Sequence, residues 1–120
     1  MSLPRTDIRA AVTPVFAALG DITRLELAHR LADGSPRSIA QLADGLELSH
    51  QGVTKHLKVL ESAGLVRAQK VGRERRYVCE PETLQTASSY LNDIATQWDG
   101  ALARLKAFVE GDSTSDGGNG

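Results

Sequence analysis

The sequence predicts a mainly α-helical domain with one small β-hairpin, in the order α-α-α-α-β-β-α. Three observations predict it. Apolar residues recur at three- and four-residue spacing through four short stretches and one long one, the period of a helix with one buried face. The pattern changes to alternation only between residues 65 and 80, as a strand pair requires. Aromatics are 4% of the 120 residues, so the core draws on Leu, Val, Ile and Ala, a poor supply for a large sheet. With 41% apolar and 24% charged residues the composition is globular. The length suits one domain, expected over residues 1–110 with a tail at 111–120.

The first helix is expected over residues 8–19, with Ile8, Val12, Val15, Phe16 and Leu19 at helical spacing. Pro14 lies inside it, and either kinks the helix or delays its start to Thr13 as cap and Pro14 as first residue. Gly20 ends it. Asp21 caps a second helix to about residue 32, with Ile22, Leu25, Leu27, Ala28 and Leu31 apolar and Gly34 after its stop. Ser38 caps a short third helix carrying Ile39, Leu42, Ala43 and Leu46, and Gly45 leads into a turn. Ser49 caps a fourth, with Val53, Leu57, Leu60 and Ala63 on one face and Gly64 as stop. Two short helices joined by a tight turn, the second polar in its first turns, form a helix-turn-helix.

Strands are expected over residues 65–70 and 75–80, with Val71, Gly72, Arg73 and Glu74 as the turn. An isolated hairpin is marginal in water, so this one must lie against the helices. The result is a winged helix-turn-helix. Pro81 opens the last helix, which is expected to run to about Glu110. Leu84, Ala87, Leu91, Ile94, Trp98, Ala101, Leu105 and Phe108 follow heptad spacing along it. At about 40 Å such a helix overhangs so small a domain. Its stripe needs a partner, most simply the same helix of a second copy; the other reading folds it back on the first helix. Gly100 costs about 1 kcal/mol in helix propensity and marks a kink or a close approach. Residues 111–120 contain no hydrophobe and are expected to be disordered.

The net charge of −1 conceals segregation. Residues 50–78 hold seven basic and two acidic residues, net +5, whereas the other seven basic and thirteen acidic residues leave −6. The local field is what a polyanion meets. No apolar run is long enough to span a bilayer. Residues 1–9 lack the apolar core of a secretory signal, and the lone Cys79 cannot form an internal disulfide. These features point to the cytoplasm.

A helix in the major groove contacts bases through its first turns. On the fourth helix His50, Gln51, Thr54, Lys55 and Lys58 lie opposite the apolar face. Gln51 can pair with adenine and Lys55 with guanine. Thr54 and Lys58 suit the backbone. Ser49 either only caps or leaves N–H groups for a phosphate. His50 has the alternative of a solvated surface residue. His56 and His29 read as structural. At the hairpin tip, Arg73 is the first choice for the minor groove. Arg75 shares a strand face with Tyr77 and Cys79, and Arg76 lies on the other. Cys79 reads either as a small buried hydrophobe or as a redox-responsive thiol.

Three segments resemble the ArsR/SmtB family of bacterial winged-helix repressors: FAALGDITRLELAHRL (16–31), VTKHLKVLESAGLV (53–66) and VGRERRYVCEP (71–81). The resemblance covers residues 8–110. It implies a homodimer joined through the first and last helices, with Val12, Val15, Phe16, Leu84, Ala87, Leu91, Ile94, Trp98 and Leu105 in the interface. Two recognition helices would then read successive major grooves. The family's metal sensors carry Cys-x-Cys where this chain has Ser38 and Ala40, and others bind zinc through the last helix, where no histidine occurs after His56. The resemblance is thus to members without metal sites, and WDGALARLKAFVE (98–110) is similar to such a subgroup.

The reading is a DNA-binding transcriptional regulator, a repressor acting as a homodimer on a double-stranded operator. It needs no cofactor or metal, meets no membrane, and answers to a small-molecule or protein effector the sequence does not name. The alternatives are a winged-helix protein-interaction module and a redox-responsive repressor using Cys79. An enzyme is not expected, because no nucleophile, metalloprotease or phosphate-loop motif occurs.

Overall fold

The computed structural model describes residues 5–117, with side chains from 7 to 111. Its elements are α1 (Arg5–Leu19), α2 (Ile22–Arg30), β1 (Arg37–Ser38), α3 (Ile39–Ala43), α4 (His50–Ser62), β2 (Val66–Val71), β3 (Glu74–Cys79) and α5 (Pro81–Gly117). The mainly helical architecture with a hairpin is as expected. The chain divides into two units, one ending at Ala87 and the other the part of α5 from Ser88 onward.

In the first unit the helices enclose an aliphatic core. Leu27, Leu31, Leu42, Val53, Leu57 and Leu60 are fully buried, and Val12, Val15 and Leu65 nearly so. Burying each such side chain contributes about 1.5–3 kcal/mol. On α2 the inward residues are Leu27 and, just past its end, Leu31. Ile22 and Leu25, counted with them in the sequence, are 85% and 52% exposed.

Caps set the element ends. Asp21 Oδ2 accepts from Thr23 N and Arg24 N at 3.0 and 3.1 Å. Ser38 forms a capping box: its hydroxyl accepts from Gln41 N, and Gln41 Oε1 accepts from Ser38 N. Gly64, at φ +80°, closes α4 in a Schellman motif: Leu65 N donates to Leu60 O, and Gly64 N donates to Glu61 O.

Three features differ from the sequence reading. First, α1 runs unbroken through Pro14. An internal proline costs about 3 kcal/mol, and the burial of Val12 and Val15 on either side of it offsets that cost. The Thr13 hydroxyl, expected to be a cap, instead donates to Arg9 O at 2.7 Å. Second, a two-residue strand precedes α3. Arg37 and Ser38 pair with Tyr77 and Arg76, so the hairpin becomes a three-stranded antiparallel sheet ordered β1-β3-β2. Third, α5 continues from Glu110 to Gly117, since the stretch contains no proline to stop it. Residues 118–120 of the expected tail lie outside the described residues.

Candidate nucleic-acid interface

α4 is held by one face and offers the other. Val53, Leu57 and Leu60 are fully buried, while His50, Gln51, Lys55 and Lys58 are exposed. Ser49, the N-cap, accepts from Gly52 N at 3.0 Å. Thr54 differs from its neighbours. It is half-buried, and its hydroxyl donates to His50 O at 2.8 Å, so in this rotamer its hydrogen is not free for a phosphate. Lys55 and Lys58 make no ion pair among the described residues. His56 points away from this row: its Nδ1 lies 3.3 Å from Arg24 Nη1, the structural setting expected of it. His29 is exposed and its side chain has no polar partner among the described residues.

The hairpin turns on Gly72 and Arg73, because Val71 pairs with Glu74. Gly72 has φ +66° and Arg73 does not have positive φ, the pattern of a type II′ turn. Its register makes the two faces electrostatically unlike. On one, Arg67 binds Glu80 at 2.6 Å and Arg76 binds Glu74 at 2.8 Å. On the other, Lys70 stands directly opposite Arg75, and neither has a carboxylate partner among the described residues. Like charges directly opposite each other destabilise a strand pair. These two line an open groove of about 370 Å³ with Ala68 and Gln69. Arg73 is exposed at the tip and likewise unpaired.

The sequence-predicted cations therefore separate. Arg73, Arg75, Lys55 and Lys58 carry uncompensated charge, and Arg76 does not. Lys70 was missed as a site residue, although counting outward from the Gly72–Arg73 turn places it across from Arg75.

The second unit is a single helix whose apolar residues face solvent. Leu91 is 51% exposed, Ile94 36%, Trp98 65%, Leu105 59% and Phe108 73%. Leu84, in the first unit, is 36% exposed and Phe16 is half-buried. Three expected interface residues stand apart: Val12, Val15 and Ala87 are at most 4% exposed within one chain. Within one chain these three pack as core residues and leave little surface for a partner.

No group of three or more His, Cys, Asp or Glu side chains among the described residues could hold a metal ion. Ser38, where metal sensors have a cysteine, is buried and spent on its capping box. Burial pushes the Cys79 thiol above its ordinary pKa, and the charge of Glu80 adds to the effect.

Comparison with known proteins agrees with this geometry. Residues 19–69 match a helix-turn-helix domain family. The transcriptional regulator Rv2034 of Mycobacterium tuberculosis is 36% identical over 101 residues, which cover 82% of this chain and 91% of that protein. An ArsR-like transcriptional regulator from Rhodococcus sp. RHA1 is 40% identical, with a TM-score of 0.70 over 82% of this chain and 92% of that one. The chain belongs to the ArsR family of helix-turn-helix regulators. A second solved structure, described as a possible ArsR-family regulator, shares the fold at 21% identity: the homodimeric winged helix-turn-helix DNA-binding domain Mb0332 of Mycobacterium bovis. Its TM-score is 0.59 over 87% of this chain and 93% of that one. Within the ArsR frame, α3 and α4 are the helix-turn-helix and β2–β3 the wing.

Proposed function

We propose that the chain is a homodimeric repressor that binds double-stranded DNA, with α4 in the major groove and the wing against the flanking backbone and minor groove. The observation that carries this reading is the clustering of unpaired cations. Lys55, Lys58, Lys70, Arg73 and Arg75 are all exposed on α4 and the wing and have no carboxylate partner among the described residues. Gln51 and Lys55, early on α4, suit base edges. Ser49 presents the helix start to a phosphate, and Lys58 fixes register.

A second copy joins through Leu91, Ile94, Trp98 and Leu105 of α5, with Leu84 and Phe16 contributing their exposed parts. The homodimeric Mb0332 domain supports this assembly. Two α4 helices about one duplex turn apart then meet successive major grooves. The protein acts in the cytoplasm and catalyses nothing. No helix among the described residues is long and apolar enough to cross a membrane. Its signal is a small molecule or protein rather than a metal ion, since no ligand cluster is built among the described residues.

The test is a gel shift with duplexes spanning the region upstream of the chain's own gene, repeated across salt concentrations. With about eight phosphate contacts per dimer, the slope of log affinity against log salt is about −7. Zinc, cadmium and arsenite leave it unchanged. Failure to bind any duplex at low salt overturns the reading in favour of a protein-interaction module.

A further inference from the structure

Arg24 ties three helices together. Its Nε donates to Ala18 O near the end of α1 at 2.7 Å, and its Nη1 meets His56 Nδ1 on α4 at 3.3 Å. Its own backbone N–H is held by the Asp21 cap at 3.1 Å. A guanidinium only donates and stays charged. His56 therefore accepts at Nδ1 and carries its ring hydrogen on Nε2. Asp21 Oδ2 lies 3.8 Å from the same nitrogen.

The other inward residues of α4 are Val53, Leu57 and Leu60, all fully buried and all aliphatic. Aliphatic contact is non-directional. It sets how deeply α4 beds into the core and resists small rolls of the helix only weakly. A hydrogen bond is directional. Successive residues of an α-helix are about 100° apart, so fixing the ring of His56 fixes where its neighbour Lys55 points, and Gln51 with it. Arg24 is half-buried and the His56 side chain is 25% exposed, off the row offered to DNA.

We propose that Arg24 and His56 are positioning residues for sequence readout. The Ala18–Arg24–His56 relay holds α4 at one rotation about its axis, and losing it costs discrimination between DNA sequences rather than DNA binding itself. This rests on the DNA-reading function above.

The test uses the full chain and two probes: the duplex that wild type enriches most from a randomised pool, and an unselected random duplex. The readout is the ratio of the two affinities, from which any loss of folded protein cancels. His56→Leu lowers affinity for the selected duplex about tenfold, the size of one damaged base contact. Affinity for the random duplex and the salt slope do not move. His56→Asn restores the ratio, because its Oδ1 stands where Nδ1 stood and accepts from Arg24. Arg24→Lys behaves as His56→Leu, since one ammonium cannot reach both Ala18 O and the ring. Equal losses on both probes, or no rescue by Asn, overturn the relay and leave the DNA reading intact. A wild-type chain that enriches no sequence overturns the DNA reading itself, and the relay with it.

Discussion

α4 and the part of α5 beyond Ser88 share a three- and four-residue apolar spacing and meet opposite fates. On α4, Val53, Leu57 and Leu60 are fully buried; on α5, Leu91, Trp98 and Phe108 are 51–73% exposed. Spacing states that a face has to be covered and leaves open what covers it. α4 finds its cover in its own chain, from α2, α3 and β2, and is left with a polar face free for a ligand. The second unit is one helix, and a lone helix in water has no core of its own to hide a stripe in.

The largest effect should come from charging the exposed stripe. Leu91→Lys places an ammonium in the proposed seam, where it has no partner. We expect a dimer by sedimentation to become a monomer, and DNA affinity to fall about a hundredfold or more as two linked reading heads become one. An unaltered dimer would break the comparison, because the α5 stripe would then not be the covered face.

Next come matched truncations on the two helices. Leu57→Ala opens a cavity and should cost about 2–5 kcal/mol in denaturant unfolding. Leu102→Ala, at a site 55% exposed, should cost about 0.5 kcal/mol or less in dilute protein. Equal costs would mean that the α5 face is already buried in the single chain.

The wing offers the same contrast in charge. Arg73→Ala should weaken DNA binding about tenfold and flatten the salt slope by about 1, with the dimer intact. Lys70→Ala should flatten the slope similarly. Arg76→Ala should change affinity less than about threefold, since Glu74 already neutralises that guanidinium. A larger effect at Arg76 than at Arg73 would reverse the assignment of the two wing faces.

Much of this was legible in the sequence because it is local. The caps Asp21, Ser38 and Ser49, the Gly64 stop and the buried row of α4 each depend on residues within about one turn of themselves. What was not legible depends on distant partners. β1 exists because Arg37 and Ser38 meet Tyr77 and Arg76 some forty residues away; two residues carry no alternation to detect. Val12 and Val15 are expected in the interface from the family resemblance, and only packing shows them buried within one chain. Alternation already separates Arg76 from Arg75; what the sequence leaves open, although the partner is only two residues away, is that Arg76 spends its charge on Glu74. Ile22 and Leu25 satisfied the helical period of α2 and still face outward, since that helix buries only a narrow stripe.

The smallest effect is expected at Cys79, two residues before α5 begins. Its setting is interior-like: it is half-buried, and burial disfavours the thiolate, with the Glu80 carboxylate opposing it further. A raised pKa means that less thiolate is present at any pH near neutrality than a free thiol would show, and the thiolate is the species an oxidant attacks. Cys79→Ser should therefore leave DNA affinity and its response to peroxide unchanged. Alkylation of wild type by iodoacetamide should be slower than that of a free thiol and rise with pH along a curve displaced to the alkaline side. A curve displaced to the acidic side, together with peroxide-dependent release of DNA that Cys79→Ser abolishes, would make this residue the sensor. The sharpest chemical signal would then sit in the first unit, and the exposed stripe of α5 would be left with assembly alone.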